Sequence, residues 1–190
     1  MTNNSEKIKT MTITALLCAI GIVIPMYAPG IRLEPASFTL ASHVAVFIAM
    51  FISPPVAIFV AGVTTFGFFI AGFPIVIVLR ALTHMIFASV GAYVLKRNGN
   101  ILLTVKKSGL FAFLISLLHA ISEVIIVSLF YWGSGMTTNW YDKGYLVAVI
   151  GLVGLGTLIH SMIDFSIAVI VWKPLQHVIS IRANAKIRAH

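Results

Sequence analysis

Charge is what this sequence lacks most. Of its 190 residues, 9% are Asp, Glu, Lys or Arg, and only five are acidic. A soluble domain carries roughly 25% charged residues, so a water-soluble globular fold is excluded. Cysteine is nearly absent too. Cys18 stands alone, which rules out an internal disulfide and suits a small residue at a helix interface. No nucleotide motif, soluble catalytic domain or long loop occurs, so the chain is not expected to hydrolyse ATP itself. There is no HExxH and no Cys/His cluster. Ser116 near His119, and Ser161 near His160, do not amount to a nucleophile with its base. Enzymatic activity is therefore the weaker class.

What the chain has instead is apolar length. Hydrophobic residues make up 59% and the mean hydropathy is +1.04, as in an integral membrane protein. Six apolar runs are separated by turn or charge signals: Met11 to Tyr27, Phe38 to Ile52, Pro55 to Ala71, Pro74 to Leu95, Leu110 to Tyr131 and Leu146 to Trp172. A perpendicular crossing takes about 20 residues. The second and third runs are short, so they either tilt or form a hairpin broken at Pro54-Pro55. The expectation is an all-α integral membrane protein of six transmembrane helices, packed as one domain over residues 1–190.

The formal charge of +8 is explained by where the basic residues fall. With six spans, Lys7, Lys9, Lys96, Arg97, Lys106, Lys107, Lys173, Arg182, Lys186 and Arg188 share one side. Arg32 and Lys143 fall on the other. Lys and Arg concentrate in cytoplasmic loops, so both termini are expected there, as tails 1–10 and 173–190. The basic excess reflects topology and anionic lipid, not nucleic acid. The first span is expected to be retained, because no small-x-small cleavage site follows it.

Arg80 does not fit this pattern, since it lies inside the fourth run with His84 one turn on. A guanidinium cannot shed its charge, and hydrocarbon penalises it by several kcal/mol, so it must face protein or water. At about 1.5 Å per residue, Arg80 lies ~9 Å and His84 ~15 Å from the outer end of their run. Glu123 lies ~13 Å and His119 ~20 Å from the outer end of theirs. His160 and Asp164 lie ~21 Å and ~27 Å from Leu146. Two layers are thus expected: Arg80, His84 and Glu123 in the outer half, and His119, His160 and Asp164 nearer the cytoplasm. Each i, i+4 pair shares one helix face. The deep layer reads as a structural hydrogen-bond network, or as an Asp164 that is simply wet at headgroup level. The outer layer is either an Arg80–Glu123 ion pair that fixes helix packing or a substrate site. With the His/carboxylate pairs split in depth, no compact metal site is expected, and no cofactor is implied.

Above the outer layer lies Trp132-Gly-Ser-Gly-Met-Thr-Thr-Asn-Trp-Tyr-Asp-Lys. It reads as an interfacial aromatic belt or as a lid in which Asn139 and Trp140 meet a flat ligand. The first outer loop, with two prolines and an Arg32/Glu34 pair, reads as a stiff connector. His43 follows at the mouth of the second span, as a capping residue or a ligand.

Several of these residues connect. Ala15-Leu-Leu-Cys-Ala19 is a small-xxx-small pattern that permits close helix approach. It is followed by Leu33-Glu-Pro-Ala-Ser-Phe-Thr-Leu-Ala-Ser-His43 and by six spans with both ends inside. Over essentially its whole length the chain resembles the S-components, the substrate-binding subunits of energy-coupling factor (ECF) vitamin transporters. Leu33 to Pro54 and Gly72-Phe-Pro-Ile-Val-Ile-Val-Leu-Arg80 resemble the niacin-specific NiaX type. The resemblance implies a binder that captures a vitamin outside, then joins a transmembrane coupling subunit and two cytoplasmic ATPases. Ala15 and Ala19 would face the coupling subunit. The site would comprise Arg80, His84 and Glu123, with His43, Asn139 and Trp140. Nicotinate suits these residues: Arg80 for the carboxylate, an aromatic wall for the ring, and His84, His43 or Asn139 for the nitrogen. Glu123 would hold Arg80 in its rotamer, or meet a cation on a different ligand. The alternatives are another vitamin or small aromatic metabolite, and a membrane scaffold whose polar residues only join helices.

Overall fold

A computed structural model describes residues 3–28, 30–33, 36–179 and 181–187, excluding the side chains of residues 3 and 31–37. The side chains of Arg32 and Glu34, and the whole of Arg188, lie outside the described residues. The fold is mostly helical. Helix α1 spans Asn3–Tyr27 and leads into a hairpin of β1 (Gly30–Leu33) and β2 (Ala36–Thr39). Then come α2 (Val44–Ile52), α3 (Pro54–Ile70), α4 (Ile75–Arg97) and α5 (Val105–Trp132), with a 3-10 turn, Ile101–Leu103, before α5. A short α6 (Thr138–Asp142) precedes a π-helical stretch, Leu146–Leu155, which runs directly into α7 (Gly156–Val178).

Four of these helical segments are long and apolar enough to cross a membrane: Asn4–Tyr27, Ile75–Arg97, Val105–Trp132 and Leu146–Val178. The other two expected spans are shorter. The run Phe38 to Ile52 divides into the end of β2, a turn, and the nine-residue α2. Helix α3 has 17 residues. The break between them has a local cause. Pro54 and Pro55 lack the amide hydrogens that a helix interior needs, and they are tolerated in a first turn. The residue before a proline is pushed out of the helical region. Ser53 accordingly is extended, at φ −170° and ψ 160°.

All nine residues of α2 are buried, as expected of a helix that is apolar on every face. Inside a bilayer, burial of apolar surface gives no advantage over lipid, so packing contacts must hold such a helix. Phe47 and Phe51 meet Phe165 of α7 edge-on, at ring centroids 5.3 and 5.6 Å apart, and Phe47 also meets Phe87 of α4. Gly91 lets α4 approach, because the sulfur of Met50 fills the space a Cβ there would take.

The segments around Glu6 and Arg182 meet at one end of the bundle. Arg182 Nε lies 3.6 Å from Glu6. The segment around Asn184 crosses beneath α2, where the N–H groups of Asn184 and Ala185 donate to the Phe51 carbonyl. Lys186 N–H donates to the Gly99 carbonyl at 3.0 Å. The bonds to Phe51 satisfy a carbonyl that the C-terminus of α2 leaves unpaired. The β1/β2 hairpin and α6 lie toward the opposite end.

Candidate functional site

At the hairpin end, α3, α4, α5, α7 and the N-cap of α2 converge on a cavity of about 100 Å³. Pro25, Phe38, Phe68, Phe73 and Ile77 give it apolar walls. Ser42, His43, Thr64, Arg80, His84, Glu123, Thr157 and His160 supply its polar groups. Phe38 is placed by the hairpin over the junction of the π-helical stretch with α7. A Cβ on Gly156 would lie 2.5 Å from its ring, so only glycine leaves room. The same ring sits 5.4 Å from that of His160.

Arg80 and Glu123 form an ion pair. Arg80 Nη2 donates to Glu123 Oε2 at 2.8 Å, with side chains 11% and 4% exposed. Thr157 Oγ1 donates to the same oxygen at 2.7 Å. The other carboxylate oxygen faces His119 Nε2 at 3.4 Å and His84 Nε2 at 3.8 Å. Arg80 Nε, His84 Nε2 and His119 Nε2 are all buried without a hydrogen-bond partner among the described residues.

A second group centres on Asp164 of α7. Its Oδ1 accepts from Ala41 N–H at 2.8 Å, and its Oδ2 accepts from His43 N–H at 2.9 Å. His43 Nδ1 lies 3.0 Å from Oδ2 and His160 Nε2 lies 3.3 Å from it. The α2 N-terminus has no side-chain cap from its own chain neighbours, so the carboxylate of α7 serves there and complements the helix dipole. Aiming both amides at one carboxylate puts Ala41 in the left-handed region, φ 66°.

The two groups are one cluster, which corrects the expected division by depth. The His43 ring is 4.8 Å from His84, 4.8 Å from His119 and 5.1 Å from His160, while His84 and His119 are 4.8 Å apart. Counting depth from the outer end of each run assumed that those ends are level and the rise uniform. Helix α5 reaches up to Trp132, well beyond the start of α4. The ten-residue π-helical stretch replaces the regular α rise at the top of α7. His119 therefore sits against His84, and the histidines gather.

The remaining sequence candidates lie elsewhere. Trp140 is buried in a separate apolar cluster with Val127, Ala148, Val149 and Val153, and neither it nor Asn139 lines the cavity. Trp132 stacks on Tyr145 at 5.0 Å and 13°, so the aromatic residues of this loop pack on one another. Ala15 and Ala19 are exposed on α1, while Leu17 and Cys18 turn inward. Sequence reasoning missed Thr157, Ser42, Thr64 and the phenylalanine walls. Thr157 sits three residues before His160 on the same face, a signal that was available.

A small apolar cavity with convergent ionic groups, inside helices of membrane-crossing length, defines a small-molecule-binding membrane protein. Neither a family model nor a solved structure matches the chain. It is similar to the niacin transporter NiaX of Lactococcus lactis subsp. cremoris (strain MG1363), with 43% identity over 163 residues, covering 85% of this chain and 72% of the relative. The chain belongs to the NiaX-like S-components of ECF transporters.

Proposed function

We propose that this chain captures niacin for uptake, and that the cavity bounded by Arg80, Glu123 and the histidines is where it is held. The observation that carries this reading is the Arg80 side chain. Its Nη2 is held by Glu123, while its Nε–H is a buried donor without a partner among the described residues. An unmet buried donor of this kind costs about 1–3 kcal/mol, and more when charged. A nicotinate carboxylate completes it. Phe38, Phe68 and Phe73 flank the ring, and His84, through its Nδ1, reads the nitrogen. At about 100 Å³, the cavity falls below the roughly 300–1,000 Å³ of drug-sized pockets and suits one small ring. Asn139 and Trp140 act from outside the cavity lining, in the loop between α5 and the last span.

The wider reading follows from the family. Residues 1–190 form one transmembrane domain in which α2 and α3 complete six crossings. Both termini lie in the cytoplasm, consistent with the Glu6–Arg182 contact and with the distribution of Lys and Arg. The exposed Ala15/Ala19 face of α1 meets a transmembrane coupling subunit, and separate cytoplasmic ATPases supply the energy. Calorimetry of purified protein against nicotinate, nicotinamide, pyridoxine and pantothenate tests the assignment. Nicotinate binding that disappears in Arg80→Ala while the variant stays folded is the expected result. Equal binding of nicotinamide overturns the carboxylate role of Arg80.

A further inference from the structure

The charges in the cavity do not balance for an anionic ligand. Among the described residues the cluster holds two carboxylates, Glu123 and Asp164, and one guanidinium, Arg80, so with neutral imidazoles its formal charge is minus one. A bound carboxylate makes it minus two, among side chains that are largely buried, where uncompensated charge is penalised. The cluster needs more positive charge than Arg80 supplies.

The histidines are arranged to hold it. His43, His84 and His119 each offer a ring nitrogen, and the three atoms lie within 4.8 Å of one another. All three residues are more than nine-tenths buried. His43 Nδ1 is engaged by Asp164 at 3.0 Å and His119 Nδ1 by Ser161 at 3.2 Å, which leaves the opposite nitrogen of each ring. His84 Nε2 and His119 Nε2 make no hydrogen bond among the described residues and both face Glu123 Oε1, at 3.8 and 3.4 Å, an anion that an ion between them would meet. A ligating histidine almost always has its second nitrogen fixed by a carboxylate, carbonyl or water. His43 has that arrangement with a carboxylate, and His119 has a hydroxyl in the same place. Three nitrogens around a tetrahedral ion at 2.0–2.1 Å stand about 3.4 Å apart, so small side-chain rotations close the site. The neighbouring trio of His43, His160 and Asp164 is a poorer candidate, because Asp164 is already held by two backbone amides.

We propose that His43, His84 and His119 bind one divalent transition-metal ion of the Zn²⁺ class, and that this ion supplies the charge that lets the cavity hold a carboxylate. With the ion and nicotinate both present, the formal charges of the cluster cancel. Imidazole donors suit Zn²⁺, Co²⁺ and Ni²⁺. His43 and His84 line the cavity, so the ion's open position faces the vitamin. The charge role rests on the niacin reading, whereas the ion site does not.

The test uses the untagged full chain in detergent, stripped with a chelator and titrated with Zn²⁺ and Co²⁺. One ion per chain is expected, with Co²⁺ giving the intense visible bands of tetrahedral coordination. His84→Gln and His119→Gln are each expected to weaken ion binding more than tenfold. Nicotinate affinity should fall at least tenfold on stripping, return with Zn²⁺, and alter the Co²⁺ spectrum. No stoichiometric ion on the wild type overturns the site, whether or not the variants fold. Equal nicotinate binding by stripped protein, with proton uptake seen as a buffer-dependent heat, overturns the charge role and leaves the niacin reading intact. An ion bound without nicotinate capture under any condition overturns the charge role and the niacin reading, and leaves the ion site standing.

Discussion

Glu123→Gln separates the structural role of the buried ion pair from its role in binding. The substitution keeps side-chain shape but removes the anion 2.8 Å from Arg80 Nη2. Because the two side chains are only 11% and 4% exposed, water replaces it poorly. Removing one member of a buried pair costs about 3–5 kcal/mol. At roughly 2–4 °C per kcal/mol for a chain of this size, Tm should fall by roughly 6–20 °C. Arg80→Met combined with Glu123→Gln should recover most of that loss, because an apolar side chain then replaces the uncompensated charge. Ligand supplies the second arm. With Glu123 neutralised, Arg80 is released to meet a carboxylate, so nicotinate should bind the single variant more tightly than wild type. At about a hundredfold excess over its Kd, it restores about 2.7 kcal/mol. Nicotinamide lacks the charge and should restore much less. Thermal melts by intrinsic fluorescence, with and without each ligand, read both arms. An unchanged Tm in Glu123→Gln refutes the buried-pair energetics, and equal rescue by the two ligands refutes the carboxylate clamp.

Thr157→Val removes the 2.7 Å hydrogen bond to Glu123 Oε2. It should cost about 1.5–3 kcal/mol as a bond to a charged group, seen as a lower Tm and weaker nicotinate binding by calorimetry. Ala41 sits at φ 66°, where a non-glycine residue is strained by about 1–2 kcal/mol. Ala41→Gly should leave Tm level or slightly higher, whereas Ala41→Val should lower it clearly. Leucine at Ala15 and Ala19, on the exposed face of α1, should abolish cellular niacin uptake while purified protein still binds nicotinate. Unimpaired uptake would place the coupling interface elsewhere.

Much of the fold was legible because hydrocarbon imposes simple rules. Long apolar runs with capped or charged ends gave α4, α5 and the last span, and the two prolines after Ser53 marked the break before α3. The hairpin was not legible. Its two strands have four residues each and lie in a loop whose prolines and glycine read equally well as a connector. The length of α2 was hidden for a related reason. Phe38 to Ile52 is uniformly apolar, and periodicity cannot divide such a run into a strand, a turn and a buried helix.

The site was legible in chemistry but not in geometry. Arg80 and Glu123 had to find partners, because neither charge is tolerated in lipid, and each found the other. What could not be read was that the supposedly structural histidines join them. That depended on the π-helical stretch, whose glycines at 151 and 154 carry no signal distinguishing it from an ordinary helix. It depended also on Ala41, where a left-handed residue turns two amides toward Asp164 and so brings His43 between the two groups. Irregular backbone thus assembled the site. Side-chain type says which groups need partners in a membrane, whereas departures from uniform helical rise decide which groups meet. For this chain the second factor changed the reading most, turning an outer layer and a deep layer into a single cluster of four imidazoles, two carboxylates and one guanidinium.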